Sequence, residues 1–169
     1  VESRSIAKAV VEPGDNRSIL ILNVENEKTG LYIVYGGAVC FTTVVPAGID
    51  SIKLSLLSKK TNVSSGGFGR HDVEEPFILQ EVDKILDYWE THSQVENSVD
   101  RKIKEIIVCG GTLENALRIE ALETILKIPI KIGNVWKNAF SFEKNIPDIL
   151  FSDSLRYASA IGLALPHIE

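Results

Sequence analysis

Ser18-Ile19-Leu20-Ile21-Leu22-Asn23-Val24 is a nearly continuous apolar run. Bounded by Asp15-Asn16 and by the charged stretch Glu25-Asn26-Glu27-Lys28, it reads as a buried strand. Two further stretches follow, Gly30–Tyr35 and Val39–Val45, both rich in β-branched and aromatic residues and therefore suited to a pleated surface. Gly36-Gly37 between them is a hairpin signal. The three segments predict an antiparallel meander.

The flanking sequence adds helices. Ile6, Ala7, Val10 and Val11 share a face of a short helix over 3–11, which Pro13-Gly14 stops. Pro46, Ala47 and Gly48 break the third strand, and Ile52, Leu54, Leu56 and Leu57 suggest a short helix or strand. The polar segment Ser58–Glu75, with Ser64-Ser65-Gly66-Gly67 and Gly69, reads as a flexible loop. After Pro76, the spacing of Ile78, Leu79, Val82, Ile85, Leu86 and Trp89 gives one helical stripe; Phe77 and Trp89 are assigned to the core. A charged connection, Glu96–Lys104, leads to a buried strand at Ile106–Cys109 that ends in Gly110-Gly111. Thr112 suits the cap of a helix carrying Leu117, Ala121, Leu122, Ile125 and Leu126. Ile128–Ile132 is another strand, Gly133-Asn134 a turn, and Trp136–Asp148 irregular. A last helix, Leu155–Leu165, is capped by Ser152 or Asp153 and ended by Pro166; Ala158, Ala160, Gly162 and Ala164 allow it to pack closely. The fold class is α/β: a mixed sheet with an antiparallel three-strand meander and helices on both faces.

Composition excludes several classes. With 169 residues, 44% hydrophobic and 24% charged, the chain is a globular domain rather than a disordered, collagenous or coiled-coil one. Its 18 basic residues are scattered among 23 acidic ones and the net charge is -5, which disfavours nucleic-acid binding. Cys40 and Cys109 both lie in strand-like runs, so buried free thiols and a reducing compartment are expected. No apolar run reaches the ~18 residues of a membrane helix, and the N-terminus has no signal-peptide core. The chain starts at Val1 and contains no Met, which points to a piece of a longer protein.

Three stretches carry a family resemblance. The first is the strand Ile19–Val24 with Glu25, then Thr29, then Pro46-Ala47-Gly48-Ile49-Asp50. The second is Ile106-Ile107-Val108-Cys109-Gly110-Gly111-Thr112 followed by Leu126-Lys127-Ile128-Pro129-Ile130. The third is Tyr157-Ala158-Ser159-Ala160-Ile161-Gly162-Leu163-Ala164-Leu165. Their order resembles one lobe of the actin-like ATPases, which has a ribonuclease-H-like core. Within that superfamily it resembles the PilM-type proteins of type IV pilus assembly, relatives of FtsA and GspL. The resemblance implies that residues 1–169 are the C-terminal lobe, with a core of 1–49 and 77–169 and a shortened outer subdomain or flexible insertion at about 50–76. It implies a nucleotide-binding set of Asn23, Glu25, Thr29, Gly48, Asp50, Gly110, Gly111 and Thr112, the first five in the second phosphate-binding hairpin and the rest in the adenosine motif. It also implies a cytoplasmic protein recruited to the inner face of the membrane by protein partners of a pilus or secretion platform, with self-association a further expectation.

The residues depart from the family's hairpin, whose pattern is Asp-x-Gly. Asn23 stands at the Asp position and Glu25 at the Gly position. Asn is a poorer partner for a hard cation such as Mg²⁺. A carboxylate ~5 Å from a phosphate charge costs on the order of 3 kcal/mol at an effective dielectric of ~20, about a hundredfold in affinity. The expected function is therefore a scaffold or adaptor lobe with a degenerate nucleotide site and no catalytic residue. No cofactor is assigned to this lobe; Mg-ATP is a candidate ligand of the full-length parent only. The rival is a functional Mg-ATP-binding lobe, and a sugar-kinase or acetate-kinase relative is a third reading. His71, His92 and His167 are far apart and lack metal-ligand spacing, so no metal site is expected.

Overall fold

The computed structural model describes residues 1–52, 77–92, 102–111, 119–140 and 147–166. Strands β1 (Ile19–Val24), β2 (Thr29–Tyr35), β3 (Ala38–Val45), β4 (Glu105–Gly110) and β5 (Ile130–Ile132) form one sheet in the order β3-β2-β1-β4-β5. The pairs β1–β2 and β2–β3 are antiparallel. The pairs β1–β4 and β4–β5 are parallel. The apolar run is thus the central strand, and all of β1 is buried, as a strand covered on both faces must be. Gly36 and Gly37 turn the β2–β3 hairpin with φ of +57° and +75°. Two positive φ values define the mirror-image turn whose twist matches the strands.

The helices are α1 (Glu2–Val10), α2 (Phe77–His92), α3 (Ile119–Leu126), α4 (Phe151–Ser154) and α5 (Ala158–Ala164). Residues 49–52 are also helical. Alternation along the strands assigns the faces. Tyr35 lies against Trp89 of α2 with ring centroids 6.5 Å apart, and the Trp89 indole N–H donates to Ser18 Oγ at 3.4 Å. Val34, on the opposite face, lines a groove with Ala7 and Val11 at the α1 end. α5 crosses α1 where Gly162 meets Ser5: a Cβ on Gly162 would sit 1.7 Å from the Ser5 carbonyl oxygen. The carbonyls at the end of α1, which a helix leaves without partners, are taken up by Asn138, whose amide donates to Lys8 O at 3.0 Å and Val11 O at 2.7 Å.

Three expectations are corrected. Cys40 is exposed while Cys109 is buried, because Cys40 belongs with Ala38, Thr42 and Val44 to the exposed residues of the alternating edge strand β3; a bulge beside it shifts the β2–β3 register between Ile33 and Val34, with Cys40 as the extra residue. Phe77 is 52% exposed; it lies off the apolar stripe of α2, whereas Trp89 is buried. The closing helix is broken into α4, a 3-10 turn at Leu155–Tyr157 and α5. The residue before α4 is Leu150, with no side-chain cap, and Ser152 and Asp153 lie inside that helix. The loop 58–75, the connection over 96–101, the insertion beyond Ile52, Thr112, Leu117, His71 and His167 lie outside the described residues.

Candidate functional site

β1 and β4 run parallel, so their C-terminal ends reach the same edge of the sheet, with Val24 level with Gly110. Ligands of open α/β sheets bind in the crevice outside the carboxyl ends of the strands. A cavity of about 600 Å³ opens there. The end of β1 contributes Asn23, the turn after it contributes Glu25, Glu27 and Lys28, and the end of β4 contributes Gly110, followed by Gly111. Glu2 and Ile6 of α1, with Arg156 and Ser159, complete the lining.

Backbone hydrogen bonds fix the turn. Glu25 N–H donates to Lys28 O at 2.9 Å, and Ile49 N–H donates to Glu25 O at 3.0 Å. Gly48 presses against this turn: a Cβ there would lie 1.9 Å from Asn26 O. Thr29 is fully buried and its hydroxyl donates to Ala47 O at 2.6 Å. Gly110 has a φ of +116°, and a Cβ on it would lie 2.0 Å from Val24 O. Only glycine allows β1 and β4 to close up at that point.

Polar side chains are buried behind this lining. Asn23 is buried; its amide donates to Glu25 Oε1 at 3.3 Å and its oxygen accepts from Cys109 Sγ at 3.7 Å. Burial, with a smaller push from the Glu2 carboxylate and against a lowering by the Asn23 side chain, raises the Tyr32 hydroxyl pKa to about 12. Tyr32 reaches Asn23 by lying over Gly30, where a Cβ would be 2.1 Å from the phenol oxygen. Burial likewise raises the Cys109 thiol to about 12. A neutral thiol is not a nucleophile at physiological pH.

Both cations of the cavity have carboxylate partners. Lys28 Nζ is 3.5 Å from Glu25 Oε2, and Arg156 reaches Asp153 Oδ1 at 3.1 Å. Gly111 is open, its nearest neighbour to a Cβ being Arg156 Cβ at 4.0 Å. Its N–H, however, is committed to Val24 O at 3.2 Å. A phosphate cradle needs backbone N–H groups turned to the anion, so these residues fit a Mg-phosphate group poorly. Among the described residues no three His, Cys, Asp or Glu side chains are grouped for a metal ion.

The structure therefore brings Asn23, Glu25, Gly110 and Gly111 to one cavity. Thr29 and Gly48 support the turn from behind, and neither they nor Asp50 is among the described cavity-lining residues. Thr112 lies outside the described residues. Sequence reasoning missed Glu2, Lys28, Tyr32, Cys109 and Arg156 as neighbours of this site. Only Tyr32 left a trace, as an aromatic two residues after a glycine on the same strand face.

No protein-family model matches the sequence, and no curated protein matches it. Solved structures do. The chain is similar to the PilM-PilN type IV pilus biogenesis complex, with TM-score 0.59 and 19% identity, over 97% of this chain and 51% of that one. It is similar to the ethanolamine utilization protein EutJ from Carboxydothermus hydrogenoformans, with TM-score 0.51 and 15% identity, over 98% of this chain and 54% of that one. It is also similar to the Alp12 filament structure, with TM-score 0.51 and 11% identity, over 96% and 50%. The fold is that of an actin-like, ribonuclease-H-like lobe, and the chain spans about half the length of these proteins.

Proposed function

We propose that this chain is the C-terminal lobe of a PilM-like protein that works as a cytoplasmic scaffold, holding protein partners of a membrane-associated pilus or secretion platform, with a degenerate nucleotide site. The observation that carries the reading is the tie between Asn23 and Glu25, both of which line the cavity. A neutral, hydrogen-bonded amide stands where the family's hairpin has an acid. A carboxylate stands where it has a glycine. Two supports come from elsewhere. The Gly111 N–H is already bonded to Val24 O, and the PilM-PilN similarity is to a complex of two proteins. Among the described residues no helix is long and apolar enough to cross a membrane, which accords with recruitment by a partner.

A second reading, a functional Mg-ATP-binding lobe, has one observation in its favour. Lys28 and Arg156 line the same cavity as Gly110 and Gly111 and would face an anion entering it. The test is a turnover assay on the full-length protein beside complementation of assembly in cells. The scaffold reading predicts no Mg-ATP hydrolysis above background, and assembly that survives Asn23→Ala. Turnover that Asn23→Ala abolishes, together with lost assembly, would establish the second reading instead.

A further inference from the structure

A second concavity lies away from the cavity at the strand ends. It is a groove of about 480 Å³ between α1 and the β2–β3 hairpin. Its floor is apolar, formed by Ala7, Val11, Val34 and Val39, and Arg4 and Lys8 stand along it. Beside it runs β3, the edge strand of the sheet. Among the described residues nothing pairs with its outer edge, and Ala38, Cys40, Thr42 and Val44 are exposed along it. An unpaired edge presents a row of backbone donors and acceptors that invites another strand.

Charge selects the occupant. The whole chain carries a net charge of -5, yet the groove's two cations have no carboxylate partner among the described residues. Lys8 Nζ donates to the backbone carbonyl of Leu165, a neutral acceptor, and Arg4 is exposed. The groove's one carboxylate, Glu12, is bound to Lys137. The lip is therefore cationic above an apolar floor.

We infer that this groove and the β3 edge together bind an extended peptide of a partner protein, one that alternates apolar and acidic side chains. The peptide pairs with the outer edge of Phe41–Val45. The bulge at Cys40 ends that pairing. The peptide's next apolar side chain then enters the groove over Val39, and its carboxylates meet Arg4 and Lys8. Backbone pairing supplies affinity in such strand addition, and the groove and the cations supply selectivity. The inference rests on the scaffold reading only in naming a surface that holds a partner; the groove does not share its charged residues with the cavity at Asn23.

The test uses the full-length protein and a fluorescent eight-residue peptide of alternating Val and Glu, read by anisotropy. Saturable binding is expected, weakened about tenfold by Arg4→Glu and retained by Arg4→Lys. The same peptide with Lys in place of Glu, or with alternate backbone nitrogens methylated, should not bind. Arg4 is exposed, so the variants should keep the wild-type circular dichroism. No saturable binding, equal affinity for Arg4→Glu, or indifference to backbone methylation would overturn the inference. Self-association that Arg4→Glu abolishes, without peptide binding, would overturn it in favour of a second copy of the chain. Mg-ATP turnover is a separate readout: its presence sinks the scaffold reading, whereas a silent peptide with no turnover sinks only this surface.

Discussion

Asn23 and Glu25 sit two residues apart at the end of β1, and the buried amide of one donates to the carboxylate of the other at 3.3 Å. Neither residue acts alone. Glu25 is held by Asn23 and Lys28, and Asn23 is held by Glu25 and Cys109. Both residues line the cavity at the strand ends.

Asn23→Asp alone should be destabilising. The new carboxylate cannot donate to Glu25 and instead faces it, while burial disfavours its charge. The cost at neutral pH should be about 1–3 kcal/mol. The buried carboxyl's folded pKa would lie above its unfolded value. Its protonation would therefore restore stability as pH falls, and the deficit would grow as pH rises. Urea denaturation of the variant at acid and neutral pH measures this directly.

Adjacent glycines should differ sharply. Gly110→Ala forces a side chain onto a φ of +116° and into the Val24 carbonyl. Strain of that kind costs of order 1–3 kcal/mol before the clash is counted. Gly111→Ala meets nothing nearer than 4.0 Å and should shift stability by only about 0.5 kcal/mol. Thermal melts of the two variants side by side check the contrast.

Thr29→Val tests whether Thr29 serves the ligand or the fold. The substitution keeps the shape and removes a buried hydroxyl that donates to Ala47 O at 2.6 Å. The orphaned carbonyl should cost about 1–3 kcal/mol. Partner binding by the folded variant should be unchanged. Denaturation and a partner titration on the same sample separate the two effects.

Tyr32 sets an alkaline limit. Its pKa rises from 10.0 to about 12 on folding. The folded chain therefore keeps the proton that the unfolded chain releases. Its contribution is fully present below pH ~10 and is lost as pH rises toward ~12, at about 1.4 kcal/mol per unit. Cys109, raised from 9.0 to about 12, acts in the same direction from a lower starting pH. Tyr32→Phe should flatten the fall in stability above pH ~10, measured by denaturation across that range alongside tyrosinate absorbance.

The central architecture was legible because its determinants are local. The run Ile19–Val24 could be nothing but a buried strand, and Gly36-Gly37 announced its turn. The α2 stripe was legible for the same reason. Other features depend on partners far along the chain. The bulge at Cys40 is a matter of register between two strands, and no residue type marks it. Phe77 was assigned by its aromatic character, although the stripe's own spacing excluded it. The break at Leu155–Tyr157 reflects the small difference between 3-10 and α hydrogen bonding. At the candidate site, Gly110 and Asn23 could be located from motif order. The commitment of the Gly111 N–H to Val24 could not, because it exists only once β1 and β4 lie side by side.

Calorimetric titration of Mg-ATP into the full-length protein, beside the same protein carrying Asn23→Asp and Glu25→Gly together, tests the central claim most directly. The degenerate-site account predicts no saturable heat from the unmodified protein at millimolar nucleotide and clear binding by the double variant. Micromolar binding by the unmodified protein would contradict it, since Glu25 would then be accommodated beside a phosphate and the lobe would be a working nucleotide site.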